Sequence, residues 1–102
     1  MKVWLVGVSD CESNSVIAIC STKEIAEREL FKERDRLIKE YKDMHIHLQE
    51  FNDKYCKENN IPKINDPMYK DMIEALSGND YEHWDNYPHD KPYLTEIEVK
   101  EV

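Results

Sequence analysis

From Ser21 to about Asn59 the chain contains neither glycine nor proline, and it reads as one long helix. Roughly 36 helical residues rising ~1.5 Å each extend ~54 Å, whereas a strand of six residues covers only ~20 Å. A small sheet therefore shelters about the first half of such a helix. The second half must pack on the C-terminal segment, on a second copy of the chain or on a different partner. The alternative is a break near Met44-His45-Ile46-His47, since His and Ile are weaker helix formers.

The start of the helix is marked by Ser21-Thr22-Lys23-Glu24, which matches a capping box. In that motif the Ser21 hydroxyl accepts from the Glu24 backbone N–H and the Glu24 carboxylate reaches back to Ser21, with Cys20 and Ile25 placed as a hydrophobic staple. Ile25, Ala26, Leu30, Leu37 and Ile38, with Phe31 at the margin, form a face wide enough to cover a sheet. From Leu37 onward the apolar series is Leu37, Tyr41, Met44, Leu48, Phe51, Tyr55. Its steps alternate between four and three, as the a and d positions of a coiled coil do. It lasts under three heptads, so it marks an assembly seam rather than a full coiled coil.

The flanking segments supply the sheet. Residues 2–8 are β-branched and aromatic and read as a strand buried on both faces. A polar loop, Ser9 to Asn14, leads to a second apolar strand over 15–20, making an antiparallel hairpin. Asn59-Asn60-Ile61-Pro62 ends the helix. Asp66-Pro67 opens a short helix through Leu76, with Met68, Met72, Ile73 and Leu76 on one face and Gly78 as the left-handed residue that closes it. After an irregular loop, Tyr93 to Val99 alternates as a half-exposed strand, with Tyr93, Thr95, Ile97 and Val99 on its apolar side. The expected fold is α+β: a three-stranded antiparallel sheet in the order 2-1-3, covered by one long helix, with a short second helix (ββααβ) and a single domain over residues 1–102.

Composition narrows the function. The 102 residues carry 14 Lys+Arg against 22 Asp+Glu, a net charge of −8, which disfavours direct nucleic-acid binding. Residues 61–102 hold four of the basic and ten of the acidic side chains. An acidic decoy of nucleic acid using Asp80, Glu82, Asp85 and Asp90 is accordingly one reading. No apolar run approaches the ~20 residues needed to span a bilayer, and Met1-Lys2 runs straight into a strand, so no membrane contact and a cytoplasmic location are expected. Cys11, Cys20 and Cys56 are an odd set without CxxC spacing, consistent with reduced thiols.

The loop Tyr81-Glu-His-Trp-Asp-Asn-Tyr-Pro-His-Asp90 is the one candidate for a small-molecule site. Tyr81, His83, Trp84 and Tyr87 have the chemistry to stack on a nucleotide-like ligand and read its edges; equally, they can cover the open end of the core. His83, Asp85 and His89 match no zinc spacing, and His45 and His47 point ~200° apart on a helix, so no metal and no cofactor are expected. With only Gly7 and Gly78, no glycine-rich phosphate loop exists, and no pair of side chains reads as catalytic; an enzyme is not expected.

Val3-Trp-Leu-Val6, a polar loop, Val16-Ile-Ala-Ile19, Ser21-Thr-Lys-Glu24 with Ala26-Glu27, and the closing Glu96-Ile-Glu-Val99 together resemble a group of small accessory proteins common in phage and prophage genomes. The likeness covers the ends of the chain, about half its length, and concerns topology. It implies a virus-encoded protein, cytoplasmic in the host cell, that inhibits or modulates a host protein, including host defence. Joined to the helix seam, the reading is a non-enzymatic protein-binding accessory protein that assembles as a homodimer or higher oligomer.

Overall fold

The computed structural model describes residues 1–9, 13–64, 68–86 and 91–100. The order of elements is β1 (Lys2–Ser9), β2 (Asn14–Cys20), α1 (Lys23–Glu58), α2 (Met68–Leu76), a 3₁₀ turn (Tyr81–Asn86) and β3 (Lys91–Glu98). The sheet is antiparallel throughout, in the order β2-β1-β3, as expected.

Helix α1 is continuous over 36 residues, with no break at Met44–His47. Its cap differs from the expected one. The N-cap is Thr22, whose hydroxyl accepts from the Ile25 backbone N–H at 3.3 Å. Thr22 carries the same kind of hydroxyl acceptor as Ser21, though threonine is the somewhat weaker N-cap. Starting one residue later, the helix seats Ala26 (buried) against the sheet and turns Ile25 outward (40% exposed), so Cys20 and Ile25 are not the staple expected. At the far end Asn59 is the C-cap, Asn60 takes the left-handed conformation (φ 52°), and the Ile61 N–H reaches back to the Cys56 carbonyl at 3.0 Å. That is a Schellman-type closure made with asparagine instead of glycine.

Helix α2 closes differently from expectation, since Gly78 has no positive φ. Two of the carbonyls at this end are satisfied from α1. Arg34 Nη1 donates to the Leu76 carbonyl (2.9 Å) and the Gly78 carbonyl (3.0 Å), and Trp84 Nε1 donates to the same Gly78 oxygen (2.9 Å). The Arg34 guanidinium also lies 5.3 Å from the Phe31 ring centre and 5.4 Å from that of Trp84. A cation that caps a helix C-terminus and stacks on two rings ties α1, α2 and the 3₁₀ turn together.

One core runs along the inner side of the sheet: Val6, Cys20, Ala26, Leu30, Leu37, Tyr41, Met72, Leu76 and Trp84. Cross-strand partners point to the same face. The helix-covered face therefore carries Trp4 beside Cys20 and Glu96, Val6 beside Ala18 and Leu94, and Val8 beside Pro92. The opposite face carries Val3 beside Ile97, Leu5 between Ile19 and Thr95, and Gly7 between Val16 and Tyr93. Two expectations are corrected here. Among the described elements, β1 is covered by a helix on one face only, because α1 has no counterpart on the other side. β3 begins two residues earlier than expected, burying Pro92 and packing the half-buried Leu94 against the core, so Tyr93 and Ile97 lie on the open face while Glu96 and Glu98 lie at the edge of the covered one.

Candidate functional site: the outer half of the long helix

Leu37 and Tyr41 are buried, 2% and 3% exposed, because α2 folds back over them; the Tyr41 and Tyr69 rings are 6.2 Å apart. These two members of the heptad-like series belong to the core and offer no surface to another chain. Beyond Tyr41 the helix leaves both the sheet and α2. Met44, Phe51 and Tyr55 are 43%, 66% and 49% exposed, and Leu48 is half-buried. At 100° per residue the four fall within a sector of about 60°, a strip ~17 Å long.

The returning chain explains why the strip stays open. Gln49 donates from its side-chain amide to the Asp53 carboxylate (2.9 Å) and the Ile64 carbonyl (3.0 Å), drawing residues 61–64 onto one flank of the helix. Cys56 on that flank is 4% exposed, beside a small hollow of about 270 Å³ that Asp53, Lys57, Ile61 and Lys63 share with it. Gln49 and Cys56 lie about 110–130° around the helix from the strip's midline. The chain's own C-terminal segment thus covers one side of the outer half and leaves the seam bare. On the open side, within the same stretch, the bordering positions are His47 and Lys54.

The aromatic loop is resolved into parts with different roles. Trp84 is 2% exposed and sits in the core, meeting Phe31 and Tyr81 edge to face at 5.8 and 6.2 Å. It is not a stacking platform for a ligand, because α1 and α2 enclose it. His83 is exposed and pairs with Asp80 at 3.3 Å. Tyr81 donates its hydroxyl to Glu27 at 3.3 Å, and its pKa is pushed up, first by burial and then by the neighbouring Glu27. Tyr87, His89 and Asp90, the Asp85 side chain and Cys11 lie outside the described residues. Cys20 and Cys56 are free thiols.

An open cleft of about 570 Å³ lies between the 3₁₀ turn and β3. Trp4, Leu94 and Pro92 line it from the sheet and Tyr81 from the turn, with Lys23 and Lys91 offset by Glu82 and Glu96. Lys2 holds Glu96 at 3.0 Å, which raises the Lys2 pKa. Among the described residues no group of three or more His, Cys, Asp or Glu is placed to hold a metal ion. No helix among them is long and apolar enough to cross a membrane.

A scan against protein-family models, a search of curated proteins and a search of solved structures each returned no match.

Proposed function

We propose that this chain is a non-catalytic protein-binding module that pairs with a second copy of itself through the outer half of α1 and serves as an inhibitor or adaptor of another protein. The single observation that carries the reading is the bare strip Met44–Leu48–Phe51–Tyr55 on a helix that outruns its own domain. A monomer rarely leaves large apolar side chains aligned in this way, and aromatic residues rank among the strongest interface anchors.

The spacing favours a second copy as occupant. A two-fold axis between Gln49 and Glu50 places Met44 against the partner's Tyr55 and Leu48 against the partner's Phe51, so the strip is its own complement in an antiparallel pairing. His47 and Lys54 border that contact, so a chain of net charge −8 brings no carboxylate row against its copy there. The topological likeness to phage accessory proteins supports the second part of the reading, modulation of a host protein. Light scattering on the wild type and on Leu48→Asp tests the pairing. The expected result is a dimer or larger species that Leu48→Asp dissociates; an unchanged mass removes the proposal.

A further inference from the structure

The chain has two tryptophans, both on the helix-covered side of the sheet, and they differ in what holds them. Trp84 is enclosed. It donates its indole N–H to the Gly78 carbonyl at 2.9 Å and meets the Phe31 and Tyr81 rings edge to face. Trp4 is half-buried on β1, beside Cys20 of β2 and Glu96 of β3. Among the described residues its ring meets no other ring and its indole N–H has no hydrogen-bond partner. A tryptophan N–H that is drawn out of water ordinarily finds an acceptor, so Trp4 has an open valence where Trp84 has none. The cleft of about 570 Å³ is where Trp4 is accessible. Tyr81 lines the same cleft from the 3₁₀ turn, as a wall held in place: its hydroxyl donates to Glu27 at 3.3 Å, and its ring lies edge to face with Phe31 at 6.1 Å and Trp84 at 6.2 Å. Pro92 and Leu94 add an aliphatic lining. The volume falls within the roughly 300–1,000 Å³ of small-molecule sites.

We infer that this cleft binds a small planar heteroaromatic molecule, which packs on Trp4 and Tyr81 and presents an acceptor to the Trp4 indole N–H. The two rings share one cleft without touching each other, so a third ring can lie against both. A flat ring gains from aromatic walls through stacking or edge-to-face contact. A ring nitrogen or exocyclic carbonyl satisfies the indole N–H, which a hydrocarbon ring or an alkyl chain cannot do. That donor is what selects a heteroaromatic over a purely apolar occupant. The site is separate from the pairing strip, because Met44 lies ~30 Å along α1 from Lys23 at the cleft. Binding in the cleft and pairing through the helix are therefore independent.

Nitrogen–proton correlation spectra of the ¹⁵N-labelled chain test this, since each tryptophan gives its own indole N–H signal and Trp4→Phe identifies which is which. The described charges on the lining are Lys23 and Lys91 with Glu82 and Glu96, two of each sign, so neutral probes suffice. Adenosine, nicotinamide and caffeine are titrated, with ribose as the control that lacks a ring. The expectation is that at least one of the three moves the Trp4 indole signal saturably, with Kd below ~1 mM, while the Trp84 signal stays in place. Tyr81→Leu, which keeps apolar bulk and removes the ring, should weaken that binding about tenfold or more. If Tyr81→Leu does not fold, nuclear Overhauser contacts from the bound probe to both the Tyr81 and Trp4 rings are the expected substitute. A Trp4 signal that none of the three probes moves, or that ribose moves equally, overturns the site. So does a folded Tyr81→Leu protein that binds as the wild type does, or a probe in contact with Trp4 alone.

Discussion

Helix α1 is two different objects built on one uninterrupted backbone. In its inner half Leu30 is fully buried between the sheet and the elements around Trp84; in its outer half Phe51 is 66% exposed although both are large apolar residues on one helix. The difference lies in what the rest of the chain can reach. β1, β2, β3 and α2 together cover the helix as far as Tyr41, and residues 61–64 cover one flank beyond it. The Asn59–Asn60 closure holds the far end of the outer half, and the strip itself keeps Met44, Phe51 and Tyr55 exposed.

Substitutions in the two halves should separate the roles. The largest effect is expected at Trp84→Ala, which removes a fully enclosed ring and frees both Arg34 and Gly78 from a contact; chemical denaturation should show a loss of about 3–5 kcal/mol. Leu30→Ala should cost about 2–5 kcal/mol by the same measurement, while Phe51→Ala should leave the stability of the dissociated chain within about 0.5 kcal/mol. Equal losses at Leu30 and Phe51 would erase the distinction between the halves.

Arg34→Ala should cost about 1–3 kcal/mol, since the Leu76 and Gly78 carbonyls each lose a charged donor, whereas Arg36→Ala should be nearly neutral. Arg36 pairs with Glu33 and Glu40 on the solvent side, and that pairing raises its pKa, first through Glu33. The smallest effect concerns Tyr81. Its folded-state pKa lies above the ordinary value of 10.0, so the unfolded chain releases that proton first. Its contribution is complete below pH 10 and declines as pH rises through the folded value; a spectrophotometric titration of wild type against Tyr81→Phe should show the Tyr81 signal above the ordinary value of 10.0.

Much of the fold is legible in the residues. The apolar run of β1, the alternation in β3, the glycine-free helix and Asn59-Asn60 each act locally, so a single sequence displays them. What escapes is whatever depends on distant partners. Arg34 reads as one more surface cation on a charged helix, and only folding shows it lying over Phe31 and Trp84 with the end of α2 in reach. For the same reason Gly78 looks like a left-handed stop, although an arginine forty-four residues away satisfies its carbonyl. The Thr22 cap differs from Ser21 by one residue because both side chains offer a hydroxyl acceptor and the packing on the sheet decides the phase of the helix. The seam is visible as a 3-4 pattern, but sequence spacing cannot distinguish Leu37 and Tyr41, covered by α2, from Phe51 and Tyr55, left bare. The open sheet face was hidden by its own apolarity, since a run of Val and Leu reads as buried wherever it occurs.

The central claim is that the outer half of α1 exists to be covered by a second copy. Thermal melting followed across a 100-fold range of protein concentration tests it, because a chain stabilised by its own association melts higher when concentrated. The account predicts that the wild-type midpoint rises with concentration and that Phe51→Asp reduces this dependence while matching the wild type at the highest dilution. A wild-type midpoint that stays flat over the whole range would contradict it.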